Sequence, residues 1–336
     1  MTFIQIPPAT LAEARRFNRL LGILPRFTIR NHWTPRLIQG ALRLSQTGAD
    51  IKLRRAGIVV DTIATPVPLR ILRPAGPVRA VALDFHGGGW VIGNPQLNDR
   101  LNTALIAACD VAVVSVDYRL APTVTIEAML ADCVAAARWL LDGGMPECAN
   151  LPVIVIGESA GAHLAAATLL ELKRWPALLS KIKGAVLYYG VYDLTGTPSA
   201  RAAGIDTMVL NGPDLAPALA RLTPHLTDTE RRAPPLSPLY GDLSGFPPAL
   251  LVGGERDALV DDTRLMAARW AEAAPVELQV LPEAPHGFIR FPTRMAQLTQ
   301  ARVHEWINAL LAPSAGGLAP QVPVPGFESG HSQPHR

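Results

Sequence analysis

Gly157-Glu158-Ser159-Ala160-Gly161 sets a hydroxyl between two glycines, where the apolar, β-branched run Val153–Ile156 gives way to an Ala-rich helix former. A serine on so tight a strand-to-helix turn stands clear of the sheet edge. Its neighbours must lack bulk, because two backbones converge on it. The helix start beneath it favours negative charge developing nearby. The pattern therefore reads as a nucleophile elbow, although five residues alone also fit an ordinary strand–glycine–helix turn.

A nucleophilic serine needs oxyanion donors, a base and an orienting acid. His86-Gly87-Gly88-Gly89-Trp90 directly follows the apolar run Ala80–Phe85. Three successive glycines cost chain entropy, and they are suited to a loop whose backbone must approach a reacting group and turn N–H donors toward it. Trp90 reads equally as a packing residue and as a wall of a substrate pocket. Of the eight histidines, His286 stands in the short loop Pro285-His286-Gly287-Phe288, just past a strand ending at Leu281, and so meets the chain order serine, acid, histidine. His163, one helical turn after Ser159, reads as packing, and His304 as half-buried or solvated on the last helix. His32 and His225 lie in added segments, and His331 and His335 in the tail. Asp257 follows the strand Ala249–Val252 and is the acid by position, with Asp193 as its competitor. Asp261 and Asp262 read as first-turn residues of the next helix, and Glu158 and Glu255 as hydrogen-bonding supports.

Alternating elements must hold these groups. Strands are predicted at Ala80–Phe85, Val111–Val116, the elbow strand, Gly184–Tyr189, Ala249–Val252 and Val276–Leu281. Helices are predicted at Leu101–Cys109, Met129–Leu141, the segment after Ser159, about Asp261–Ala274 and Arg294–Leu311. This alternation implies an α/β chain with a mostly parallel central sheet and helices on both faces. Before it, Ile58–Leu72 is β-like but broken by prolines, which predicts two edge-type strands. Residues 1–50 carry two helical patterns. Leu11, Ala14, Phe17, Leu20 and Leu21 form one apolar face, and Leu37, Ala41 and Leu44 another; Thr10 with Glu13 would form a capping box. Val191–Pro238 is too long for a simple connection, and Leu210, Leu215, Leu219 and Leu222 recur there at roughly helical spacing. The division expected is a cap from residues 1–50 and 191–238, a core from 51–190 and 239–312, and a Pro/Gly/Ser-rich tail, 313–336, without order.

Composition excludes several classes. Hydrophobic residues make up 49% of 336 and charged residues 18%, so the chain can bury a large core and is not a disordered protein. Lys plus Arg (31) nearly balance Asp plus Glu (28), and no basic run with interleaved aromatics calls for a nucleic acid. The best apolar stretch, Ala104–Val116, is interrupted by Asp110, so no membrane span is expected. With no secretion signal at the N-terminus and three widely spaced cysteines (Cys109, Cys133, Cys148), the expectation is a cytoplasmic protein with buried thiols.

HGGGW, Asp117–Pro122 (DYRLAP), GESAG, SPLYGDLSGFPPALLVGGERDALVDD and PHGF occur in the order that characterises the hormone-sensitive-lipase-like (bacterial family IV) carboxylesterases. The chain resembles that family from roughly Leu69 to Leu311. The resemblance implies an α/β-hydrolase fold with a helical cap. It also implies Ser159 as nucleophile, Asp257 as acid, His286 as base, and the amides of Gly88, Gly89 and Ala160 as oxyanion donors. The implied substrates are short-to-medium-chain esters, with no metal or organic cofactor and with a homodimer through Val276–Leu281 as an open expectation. Thr123, Ile126-Glu127, Glu158, Ala162 and Asp257-Ala258-Leu259 depart from the usual pattern without touching the three side chains. A non-catalytic receptor on this scaffold would have lost the histidine that stands here at 286. A lactonase, deacetylase or amidase would keep the same machinery.

Overall fold

Eight strands hydrogen-bond into one sheet in the order β1-β2-β4-β3-β5-β6-β7-β8. They are β1 (Ile58–Ile63), β2 (Leu69–Pro74), β3 (Ala80–Phe85), β4 (Val111–Val116), β5 (Val153–Glu158), β6 (Ile182–Tyr188), β7 (Ala249–Gly254) and β8 (Val276–Leu281). β2 pairs antiparallel with both β1 and β4, and every other pair, from β4 across to β8, is parallel. The computed structural model describes residues 4–28, 33–64 and 66–312. His32 and the tail with His331 and His335, whose lack of order was expected, lie outside the described residues.

β3, β4, β5 and β7 are buried at every residue, as near-continuous apolar strands must be when helices cover both sides of a sheet. On one face α5 (Ile126–Leu141), α6 (Ala160–Leu172) and α11 (Val260–Ala271) close a core around Leu83, Val155 and Leu187. On the other, α4 (Asp99–Cys109) and α12 (Arg294–Leu310) cover Ala82, Ile154 and Leu250. Trp270 of α11 is wholly buried, and its indole N–H donates to Pro247 O at 2.8 Å. The three cysteines are free and buried. Among the described residues no helix is long and apolar enough to cross a membrane.

Ahead of the sheet come α1 (Pro8–Leu21), α2 (Trp33–Ser45) and α3 (Ala49–Arg55). Within 191–238 lie α8 (Pro198–Arg201), α9 (Gly212–Leu222) and α10 (Asp228–Arg232), following the short α7 (Pro176–Leu179). The two added regions join each other. Phe27 N–H donates to Val209 O at 2.7 Å, Asn211 N–H to Phe27 O at 3.2 Å, and Thr28 Oγ1 to Asp214 at 3.0 Å.

Three local expectations fail for identifiable reasons. Thr10 does not cap α1: the helix begins at Pro8, whose fixed φ suits the first turn, and Thr10 is buried inside it. Glu13 instead accepts a bond from the Arg294 backbone at 3.0 Å. β2 is not an edge strand, because its second side pairs with β4; only β1 and β8 end the sheet. Leu37 and Leu44 do not face the core, being 74% and 77% exposed. The side of α2 that meets the protein carries the half-buried Ile38 and Leu42 and is held by Gln39 and, just past the helix end, by Gln46.

Candidate active site

Ser159 sits between β5 and α6 with φ +53, in a backbone region that L-residues seldom occupy and that costs of order 1–3 kcal/mol. The glycines make that turn buildable. A Cβ on Gly161 would lie 2.0 Å from Phe85 O, and one on Gly157 would lie 2.5 Å from Gly161 O. The elbow is thus pressed against the end of β3, where the glycine loop begins. In that loop Gly88 has φ +124, and a Cβ there would meet Ile92 O at 2.0 Å, so no other residue fits.

His286 Nε2 stands 2.9 Å from Ser159 Oγ, and His286 Nδ1 stands 2.8 Å from Asp257 Oδ2. The second Asp257 oxygen accepts the Leu259 N–H at 2.9 Å, which fixes the carboxylate's plane. His286 and Asp257 are 6% and 4% exposed. With Nδ1–H given to the carboxylate, the free lone pair of Nε2 faces the serine hydroxyl. The side chains chosen by motif therefore converge from β5, the loop after β7 and the loop after β8. Asp193 is engaged elsewhere, accepting from Thr195 at 2.6 and 2.7 Å and from Tyr240 Oη at 2.7 Å. Glu255 points into solvent and supports nothing in the site.

Gly88, Gly89 and Trp90 line, together with Ser159 and His286, a cavity of about 720 Å³. Its wall also carries Val124 and the leucines spaced helically in the insertion, Leu210, Leu215, Leu219 and Leu222, beside His225 and the Asp214–Arg221 ion pair. Ala160 opens α6, and a first-turn amide has no acceptor within its own helix. His86, behind the loop, stacks on Tyr118 with ring centroids 4.3 Å apart, and burial pulls its imidazole down to about 4, so it stays neutral. His163 does more than pack. It accepts the Trp90 indole N–H at 3.2 Å, and its Nε2 lies 2.7 Å from Leu236 O, which ties the glycine loop to the insertion through α6.

Two buried carboxylates organise the loops in ways no local pattern announces. Glu158 is 4% exposed and takes both oxygens to Arg290, whose Nε lies 2.9 and 3.0 Å away, while accepting Tyr189 Oη at 3.1 Å and the Gly87 N–H at 3.4 Å. Burial raises its pKa, but the Arg290 guanidinium outweighs burial and holds the carboxyl below its usual range. Arg290 also donates to Leu97 O at 2.9 Å and to Asn98. Elbow, glycine loop and histidine loop thus share one ion pair. Asp262, wholly buried, accepts Tyr192 N–H at 2.6 Å, Asp193 N–H at 3.2 Å and Thr197 Oγ1 at 2.5 Å. It anchors the start of the insertion, a role beyond that of a first-turn acid.

Comparison with known proteins points the same way as this geometry. A profile of the α/β-hydrolase fold matches residues 82–290. An acetyl-hydrolase of Streptomyces hygroscopicus is 34% identical over 220 residues, which cover 64% of this chain and 70% of that protein. Among solved structures, the esterase LipW of Mycobacterium marinum superposes with a TM-score of 0.77 at 26% identity, covering 88% of this chain and 96% of its own. A hyperthermophilic esterase of the archaeon Pyrobaculum calidifontis gives 0.74 at 26% identity, covering 88% and 97%. A hormone-sensitive lipase from a metagenome library gives 0.71 at 27% identity, covering 89% and 98%. The chain belongs to the α/β-hydrolase fold family, in its hormone-sensitive-lipase-like branch of carboxylic ester hydrolases.

Proposed function

We propose that this chain is a serine carboxylesterase acting on short-to-medium-chain esters through an acyl-enzyme on Ser159. The observation that carries the reading is the continuous path of 2.9 and 2.8 Å from Ser159 Oγ through His286 to Asp257. His286 takes the hydroxyl proton as Oγ attacks the ester carbonyl. Asp257 holds the imidazole in the reactive tautomer and favours the imidazolium that forms. Gly88, Gly89 and Ala160 donate amides to the oxyanion, each worth roughly 3 kcal/mol in the transition state. The imidazolium then protonates the leaving alkoxide, and water repeats the sequence on the acyl group.

Residues 1–50 and 191–238 together act as a cap over this reaction. Phe27 from the first region and Leu210 from the second both line the cavity and bridge to each other. The leucines of the wall accept an acyl or alcohol chain by area burial, about 25 cal/mol for each Å² removed from water. The test is a p-nitrophenyl ester series from acetate to palmitate, run beside simple lactones and amides, with Ser159→Ala as control. Esters up to medium chain turn over and Ser159→Ala is inactive but folded. Full activity in Ser159→Ala overturns the mechanism, and a preference for lactones or amides overturns the substrate assignment.

A further inference from the structure

Leucines on an amphipathic helix usually turn inward; in α2 Ile38 and Leu42 are half-buried, but two further leucines are not. Gln39 exchanges two 2.8 Å bonds with the backbone of Gly93, and Gln46 exchanges amide bonds of 2.7 and 3.0 Å with Asn94. Leu37 and Leu44, seven residues apart and so on one face, are left to solvent. At the end of α1, Leu20, Ile23 and Leu24 are also exposed, at 63%, 81% and 58%. Between the two groups in the chain come Phe27, Thr28 and Pro35, all lining the cavity that contains Ser159.

Charge is concentrated on the same stretch. Residues 8–45 hold seven arginines and one acidic residue, Glu13; Arg15 is paired with Glu283 and Arg26 donates to Thr207 O. Arg16, Arg19 and Arg43 are exposed among the leucines. Exposed aliphatic side chains alone suit a second protein surface as well as a lipid. An excess of basic residues interleaved with them suits a surface that is anionic at its headgroups and apolar beneath.

We infer that α1 and α2 form a docking face for an anionic lipid bilayer, with the cavity entrance held next to the membrane surface. The leucines enter the headgroup–acyl boundary, and the arginines meet the phosphates and snorkel to them along their methylene stems. Delivery of an amphiphilic ester from the bilayer to Ser159 rests on the esterase reading. Binding does not, and is measured separately.

The experiment is co-sedimentation of the full chain with vesicles of phosphatidylcholine containing about 30% phosphatidylglycerol, beside pure phosphatidylcholine vesicles. The expected result is capture by the anionic vesicles at low salt, weakened at least about ten-fold in about 0.5 M salt. Leu37→Asp/Leu44→Asp loses capture by about ten-fold or more, and Arg16→Glu/Arg19→Glu loses it in part, with p-nitrophenyl acetate turnover unchanged as the control for folding. Equal capture by both vesicle types, no capture, or capture untouched by the leucine pair overturns the proposal. So does light scattering that shows a dimer turned to monomer by Leu37→Asp/Leu44→Asp, which would assign the face to a second copy. Ser159→Ala binds vesicles like the wild type, so failure of docking and failure of catalysis are told apart.

Discussion

Arg290→Met removes the only cation bonded to Glu158 among the described residues, and leaves a carboxylate 4% exposed with one hydroxyl and one long amide bond for partners. Truncating one side of a buried ion pair costs about 3–5 kcal/mol, because the survivor keeps its desolvation penalty and loses its attraction. At about 2 °C per kcal/mol for a chain of this size, the midpoint of thermal unfolding should fall by roughly 6–10 °C near neutral pH. The pH dependence should change sign as well. In the wild type the Glu158 pKa is held low, so its contribution is present above the ordinary carboxylate pKa and is lost as pH falls through the folded value. Without Arg290, burial is left unopposed and the pKa rises. The variant is then closest to wild type in acid and loses stability as pH climbs. Urea unfolding at pH 5 and pH 8 reads this directly, with Glu158→Gln/Arg290→Met as the companion. A neutral amide removes the stranded charge and should recover at least half of the loss, short of the bonds Arg290 makes to Leu97 and Asn98. An Arg290→Met protein within about 0.5 kcal/mol of wild type, or a double variant as unstable as the single one, would show that Glu158 does not depend on this cation.

Asp262, pushed up to about 7 by burial, should impose a loss of stability as pH rises from about 4 to 7, since the folded state keeps a proton the unfolded chain releases. Asp262→Asn can accept the two backbone N–H groups and donate to Thr197 Oγ1; it should flatten that slope and exceed wild-type stability at pH 8 by on the order of 2–4 kcal/mol. An unchanged slope in urea titrations speaks against it. Gly88→Ala forces a Cβ to 2.0 Å from Ile92 O at φ +124, so the loop must shift. If its amide serves the oxyanion, kcat falls about 100-fold or more with KM little changed; an active, folded Gly88→Ala removes that assignment.

The catalytic candidates were legible because each stands in a short pattern at the end of an apolar run. β3 and β4 could be bounded to the residue because fully buried parallel strands are near-continuous aliphatic stretches, here broken only by Asp84 and Ser115. Helix periodicity is weaker evidence. It shows that the two sides of α2 differ but not which one meets the protein, and here the glutamines won because Gly93 and Asn94 offered them backbone and amide partners. Thr10 failed as a cap because a proline two residues earlier was already a suitable helix start.

By itself the amino-acid order determined the layered α/β architecture, the order of the serine, acid and histidine motifs along the chain, and the glycines that a sharp elbow demands. Those follow from near-neighbour sterics and periodic burial, which a linear string carries. Only the tertiary structure decided that Glu158 and Arg290, 132 residues apart, would share one buried pair, that Asp262 would hold the start of the insertion, and that Leu37 and Leu44 would face outward on α2. Such pairings depend on which groups are desolvated together, and that is a property of folded surfaces meeting.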